Sequence, residues 1–196
     1  MRATPVLTAA VVLTLAACAS APQVHTAVSP DGGIGRLRTF SILPAPRHLG
    51  GGEASSDPMR VNSGSNRALR DGLLQGFARR GYVVADSSPD FAVAYYATTT
   101  DKLDIMRWDY GYAWWPRWWR GWGLRGPVGP TEATEYAAGT VVVDVIDGRT
   151  RELLWRGKGL ARVSDDEQAY KLDLQKTVGA IVARFPRAQP SITHAR

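Results

Sequence analysis

The 196-residue chain has one cysteine and three histidines. A single thiol excludes an intrachain disulfide, so packing must hold the fold. His25, His48 and His194 fall in stretches that read as a tether, a loop and a tail. No rigid element gathers them into a metal site or a nucleophile–base pair, and we expect neither metal nor cofactor. The longest apolar run, residues 5–17, is short of the roughly 20 residues that a membrane-spanning helix needs. Internal repeats are absent. Acidic residues are the scarcer charge: 18 Asp and Glu against 24 Lys and Arg give a net charge of +6. Such a surplus suits an acidic partner surface: nucleic acid, anionic lipid or an acidic polymer.

What is present first is an N-terminus of export type. Arg2 precedes the uncharged, mostly apolar residues 5–17, the layout of a signal peptide. The stretch closes on Leu15-Ala16-Ala17-Cys18, which resembles the bacterial lipobox. That resemblance implies removal of residues 1–17 and diacylation, then N-acylation, of Cys18. Several acyl chains on one residue exceed what lasting anchorage requires. Ala19 stands where an Asp retains lipoproteins at the inner membrane, so the resemblance implies the inner leaflet of the outer membrane, facing the periplasm. The alternative is a plain secretory peptide cleaved at another A-x-A site. An envelope address argues against nucleic acid as partner.

Residues 18–35 are rich in Ala, Pro, Ser and Gly and read as the lipidated Cys18 and a flexible tether. Residues 36–186 read as one domain, and 187–196 as a loose tail. Residues 37–43, 82–85 and 91–99 are strand candidates. Residues 66–80 place Leu69, Leu73 and Phe77 on one helical stripe, with Gly72 and Gly76 suited to close approach to a sheet and Gly81 to a C-cap. Residues 139–147 and 151–161 form two strands around Asp147-Gly148, a strong hairpin signal because both residues accept positive φ. Ser164-Asp165-Asp166-Glu167 is a capping box opening a helix along Leu174, Val178, Ile181 and Phe185. The expected fold is α+β: a mostly antiparallel sheet of about five strands, two amphipathic helices on one face, and an insertion over residues 105–131 between strands three and four.

That insertion holds most of the tryptophan. Five of seven Trp fall in residues 114–122 (WWPRWWRGW), with Trp108 just upstream. Pro116 excludes a central strand, and the surrounding Gly and Pro exclude a long helix. No acidic residue occurs from Tyr110 to Thr131, whereas Arg117, Arg120 and Arg125 do. Trp108, Trp114, Trp115, Arg117, Trp118, Trp119, Arg120 and Trp122 thus form a cationic aromatic loop. Each Trp carries about 150–250 Å² of surface, so something must cover them. Four covers stay open: the sheet face carrying Val142, Ile146 and Leu154, which the loop would close as a flap; anionic lipid at the membrane surface; an envelope protein; or glycan rings.

The signals of catalysis dissolve on reading. Residues 121–126 (GWGLRG) spell a dinucleotide motif but run into Pro127 and Pro130 instead of a helix. Asp101, Asp104 and Asp109 fit no Ca²⁺ loop. Asp144 sits in mid-strand opposite the helix-covered face, where an exposed or salt-bridged residue is the default.

Arg67, Leu69 and Leu73 lead to Gly81-Tyr82, Asp86, Pro89-Asp90-Phe91 and Tyr95. Tyr136, Gly139-Thr140, the Asp-Gly hairpin, Leu154-Trp155, Gly157 and Phe185-Pro186 follow. In this order behind a lipobox, they resemble the bacterial lipoproteins grouped as domain of unknown function family 4136, over residues 38–186. The resemblance implies an α+β envelope lipoprotein and brings no catalytic residue. We therefore expect a non-catalytic lipoprotein that contacts membrane, an envelope protein or glycan through its aromatic loop. The alternative is an enzyme or binder acting on cell-wall glycan or lipid through unidentified carboxylates.

Overall fold

The computed structural model describes residues 22–30, 33–44, 58–59, 63–99 and 138–190, and the backbone of 47–48 and 108–109. In chain order the elements are β1 (Val24–Val28), a 3₁₀ turn (Ile34–Arg36), β2 (Thr39–Ile42), β3 (Arg47–His48) and α1 (Gly64–Arg79). Then come β4 (Val83–Val84), β5 (Phe91–Ala97), β6 (Trp108–Asp109), β7 (Thr140–Asp147), β8 (Leu153–Leu160) and α2 (Glu167–Val182). Six strands form one sheet in the order β1-β8-β7-β5-β2-β4, and β3 pairs with β6 apart from it.

The sheet is mixed, which corrects the expectation of about five mostly antiparallel strands. β5, β7, β8 and β1 pair antiparallel, but β2 is parallel to both β5 and β4. The reason lies in α1. A helix after β2 returns the chain to the end where β2 began, so the next strands start from that same end. The sixth strand is β1, which corrects the reading of residues 19–35 as tether throughout. Val24, Thr26 and Val28 place β-branched side chains at alternate positions, and Val24 and Val28 pair with Gly159 and Trp155.

Both helices pack on one face. Phe77 of α1 and Phe185 beyond α2 bring their rings within 5.6 and 5.8 Å of Phe91 on β5. The Thr177 hydroxyl reaches the Leu160 carbonyl at 3.5 Å. The helices run parallel: Gly72 sits beside Val178, and Gly76 beside Val182, where an added β-carbon would lie 3.1 Å from a Val182 methyl. These glycines therefore serve helix–helix contact, not approach to the sheet.

The ends of the helices differ from the simplest reading in instructive ways. Ser63 caps α1 by accepting from the Asn66 N–H at 3.0 Å. At its other end Gly81 takes φ +90°. The Gly81 N–H donates to Ala78 O and the Tyr82 N–H to Phe77 O, a Schellman motif whose apolar contact is the Tyr82–Phe77 ring pair. For α2 the N-cap is Asp166, not Ser164. The Asp166 carboxylate accepts from the Gln168 and Ala169 N–H groups, while Ser164 Oγ accepts from the Asp166 N–H. A carboxylate next to the helix start outcompetes the hydroxyl two residues earlier, because it also meets the positive end of the dipole.

The β7–β8 turn corrects another expectation. Asp147 and Gly148 do not take positive φ; Arg151 does, at 62°. Asp147 Oδ1 instead accepts from the Arg149 and Thr150 N–H groups, an Asx turn within a connection of five residues, 148–152. The tail is ordered at its start: Ala188 N–H donates to Arg80 O, and Ala188 packs on the core.

The core centres on Phe40, Phe77, Tyr82, Phe91, Trp155 and Phe185, all buried, with neighbouring ring centroids 5.2–6.1 Å apart. Phe185 touches four of the others. Phe185→Ala should cost about 3–5 kcal/mol of unfolding free energy, read as a lower urea midpoint at unchanged slope.

Candidate functional site

Most of the proposed site residues lie outside the described residues. Cys18, Trp114, Trp115, Arg117, Trp118, Trp119, Arg120 and Trp122 are among them. Trp108 is placed by its backbone alone, in β6 opposite His48 of β3. What the fold does define is the frame from which these segments depart.

Four strands share one row at one end of the sheet. Val24 of β1 pairs with Gly159, Gly159 with Val141, and Val141 with Ala97 at the end of β5. Three strand spacings separate Val24 from Ala97, roughly 14–15 Å. The chain enters β1 at this row and leaves β5 for the interval that holds residues 105–131, returning at β7. This is the insertion end of the domain. Its neck is closed by backbone bonds. The Thr98 N–H donates to Thr140 O at 3.2 Å, the Gly139 N–H to Thr98 O at 2.8 Å, and the Ala161 N–H to Gly139 O at 2.9 Å. Gly139 has φ +82°, and a β-carbon there would fall against the Ala161 carbonyl oxygen. Only glycine closes the neck without strain.

The sheet face opposite the helices is also buried. Ala94, Tyr96, Val142, Asp144 and Ile146 are all 0% exposed. Asp144 and Arg156 form a two-pronged ion pair, Nε to Oδ1 and Nη2 to Oδ2, each 2.5 Å. The register flanks this pair with Ala27 on β1 and Ala94 on β5, whose small side chains leave it room. Sequence reasoning foresaw a salt bridge or exposure for Asp144. It did not foresee full burial, and the one available signal was the facing Arg156 at matching register across the hairpin.

His25 lies on β1 and not in a tether, and it is exposed. His48 lies in β3, and His194 is outside the described residues. Among the described residues no group of three His, Cys, Asp or Glu side chains is placed to hold a metal ion. No described helix is long and apolar enough to cross a membrane.

A mixed sheet with two parallel helices on one face defines a two-layer α+β domain. The chain belongs to the family described as Domain of unknown function (DUF4136), whose pattern matches residues 24–187. It is similar to a DUF4136 family protein from Bacteroides thetaiotaomicron, at 14% identity and TM-score 0.47, over 83% of this chain and 95% of that one. It is also similar to the PelC dodecamer from Paraburkholderia phytofirmans, at 7% identity and TM-score 0.45, over 86% and 99% of the two chains. A PDZ domain protein from Parabacteroides distasonis matches at 12% identity and TM-score 0.45, over 87% of this chain and 37% of that one. No curated protein matches the sequence.

Two substitutions test this frame. Gly139→Ala should destabilise the domain by more than about 1 kcal/mol, and hydrogen exchange should quicken first at the Thr98 and Ala161 amides. Arg156→Met alone, which removes the two-pronged partner of a buried carboxylate, should cost about 3–5 kcal/mol. Asp144→Leu combined with Arg156→Met should recover most of that loss in a chemical melt.

Proposed function

We propose that the protein is a non-catalytic lipoprotein of the bacterial cell envelope, anchored through acylated Cys18 in the inner leaflet of the outer membrane and facing the periplasm. In this reading it contacts membrane or another envelope component through the cationic segment that carries Trp108, Trp114, Trp115, Arg117, Trp118, Trp119, Arg120 and Trp122. The supporting observation is the shared row Val24–Gly159–Val141–Ala97. The chain positions that lead into β1 and out of β5 lie at the same end of the sheet, three strand spacings apart.

The start of β1 at Val24 shortens the tether to the five residues 19–23, six Cα–Cα steps from Cys18 to Val24. Fully extended, these reach at most ~20 Å; as a coil they reach roughly 13–15 Å. An acyl anchor on so short a leash holds the insertion end against the lipid surface. Trp favours that interface, and Arg meets anionic headgroups there.

A second reading is favoured by a separate observation. The helix-free face of the sheet is fully buried at Tyr96, Val142 and Ile146. Tryptophans of the insertion packed there would act as a structural flap. The two readings diverge under one experiment. The unacylated Cys18→Ser chain is floated with vesicles containing phosphatidylglycerol, with and without Trp118, Trp119 and Trp122 changed to Ala. The membrane reading expects roughly tenfold weaker binding at unchanged melting temperature. Unchanged binding with a lowered melting temperature supports the flap. Intact-mass analysis of the membrane-extracted native chain should show residues 1–17 removed and Cys18 acylated; an unmodified thiol defeats the anchor.

A further inference from the structure

Gly157 and Gly159 face the helices: a β-carbon on either would meet Ile181 of α2. Alternation along β8 therefore turns Arg156, Lys158 and Leu160 to the helix-free face. Arg156 pairs with Asp144. Toward the insertion end the cover over that face runs out. Tyr96 and Val142 are 0% exposed, whereas Lys158, opposite Val142, is half-buried and Leu160 is 54% exposed. His25, paired with Lys158 from β1, is exposed as well. Arg162 and Val163 follow as the chain leaves β8; Arg162 is exposed and Val163 is 40% exposed. The result is an open corner on the β1 side of the insertion end, with two aliphatic side chains around a cation.

The charge on this face has one sign. Among the described residues of β1, β5, β7 and β8, the one acid turned to it is Asp144, which is buried against Arg156. Arg162 makes no ion pair among the described residues; the pairs there join Arg156, Lys171 and Lys176 to acids. Asp165, Asp166 and Glu167 lie close in sequence but belong to the helix layer. Asp166 caps α2, and Glu167 pairs with Lys171 at 2.7 Å.

The occupant follows from what enters the fold beside this corner. Val24 pairs with Gly159, next to Leu160, and the chain before it holds five uncharged residues, Cys18 and the apolar stretch 5–17. Whether acyl chains or that apolar stretch attach it, a membrane-bound N-terminus holds the corner within roughly 20 Å of the lipid, a step that rests on the membrane reading above. At such range a weak contact suffices, because the attachment supplies a high effective concentration. A stable protein interface needs about 800 Å² from each partner, and two aliphatic side chains with one free guanidinium fall well short of it. A purely ionic polymer would leave Leu160 and Val163 in water. A bilayer surface takes both kinds of group: aliphatic side chains enter the headgroup–acyl boundary, and arginine meets lipid phosphate.

We propose that Leu160, Arg162 and Val163 form a docking surface for an anionic phospholipid bilayer, separate from the Trp-rich segment. The domain then rests on the β1 side of its insertion end, with β4 raised farthest from the lipid.

The test uses the membrane-extracted full chain in phosphatidylcholine vesicles, with and without phosphatidylglycerol. One sample carries a nitroxide at Val163→Cys and another at Val83→Cys, an exposed site at the opposite end of the sheet. With phosphatidylglycerol present, the label at 163 should be relaxed by oxygen from the lipid phase, while the label at 83 stays accessible to aqueous nickel reagent. Arg162→Gln should lower the ratio of immersed to aqueous label about fivefold at unchanged melting temperature, and Leu160→Gln added to it should return the label to water. A label at 163 as aqueous as that at 83 overturns the proposal, and immersion that ignores phosphatidylglycerol overturns its anionic character. Changing Trp118, Trp119 and Trp122 to Ala separates the two readings. Loss of immersion in that variant, with none in the Leu160–Arg162 variant, leaves the loop reading and overturns this one. The reverse pattern supports the corner and removes the loop. If Cys18 proves unacylated, a Cys18→Ser background keeps the label unique, and immersion at 163 still supports the corner without the acyl anchor.

Discussion

Six aromatic rings drawn from separate parts of the chain meet at one end of this domain, and the rest of the architecture hangs from them. Phe40 comes from β2, Phe77 from α1, Phe91 from β5 and Trp155 from β8, with Tyr82 and Phe185 from the turns that follow the two helices. A chain without a disulfide has to fix its helix–sheet angle by packing. Here the packing is densest where both helices end, so their C-termini are brought together. The parallel course of α1 and α2 follows. Trp155, the one tryptophan remote from the insertion in sequence, belongs to this cluster and is 1% exposed.

The elements were legible where side-chain periodicity is self-sufficient. The stripe Leu69–Leu73–Phe77 and the run Leu174–Val178–Ile181–Phe185 are all buried, because a 3.6-residue period admits no other use. Strands β5, β7 and β8 were legible for the same kind of reason. What escaped were features decided between segments. β1 is five residues of mixed composition whose strand character comes from its neighbour β8, and local propensity around it favours a linker. The direction of β2 relative to β5 is set by α1, not by any residue in either strand. Asp166 displaced Ser164 as a cap, and Asp147 converted an expected tight hairpin into a longer turn. In both places a carboxylate competed for backbone N–H groups that the sequence pattern had assigned elsewhere.

The candidate site was legible only as composition. The charge and aromatic content of residues 105–131 call for a cover, but composition has no direction. The direction came from register: the row through Val24, Gly159, Val141 and Ala97 aligns two points 73 residues apart in sequence. The open corner of β8 was invisible for the complementary reason. His25, Lys158 and Leu160 are ordinary singly, and only the pairing of β1 with β8 makes them neighbours.

The placement of β1 has a mechanical consequence. Its hydrogen bonds to β8 run across the sheet, perpendicular to the strand, and the chain enters it at Val24, the extremity nearest the insertion. A pull applied through the N-terminal segment along the strand axis strains every rung of the β1–β8 ladder at once. The same pull directed sideways would open the rungs one after another. A domain tugged lengthwise from this corner resists in shear, and the outermost strand of the sheet, ordinarily the first to peel, becomes the element that bears the tension.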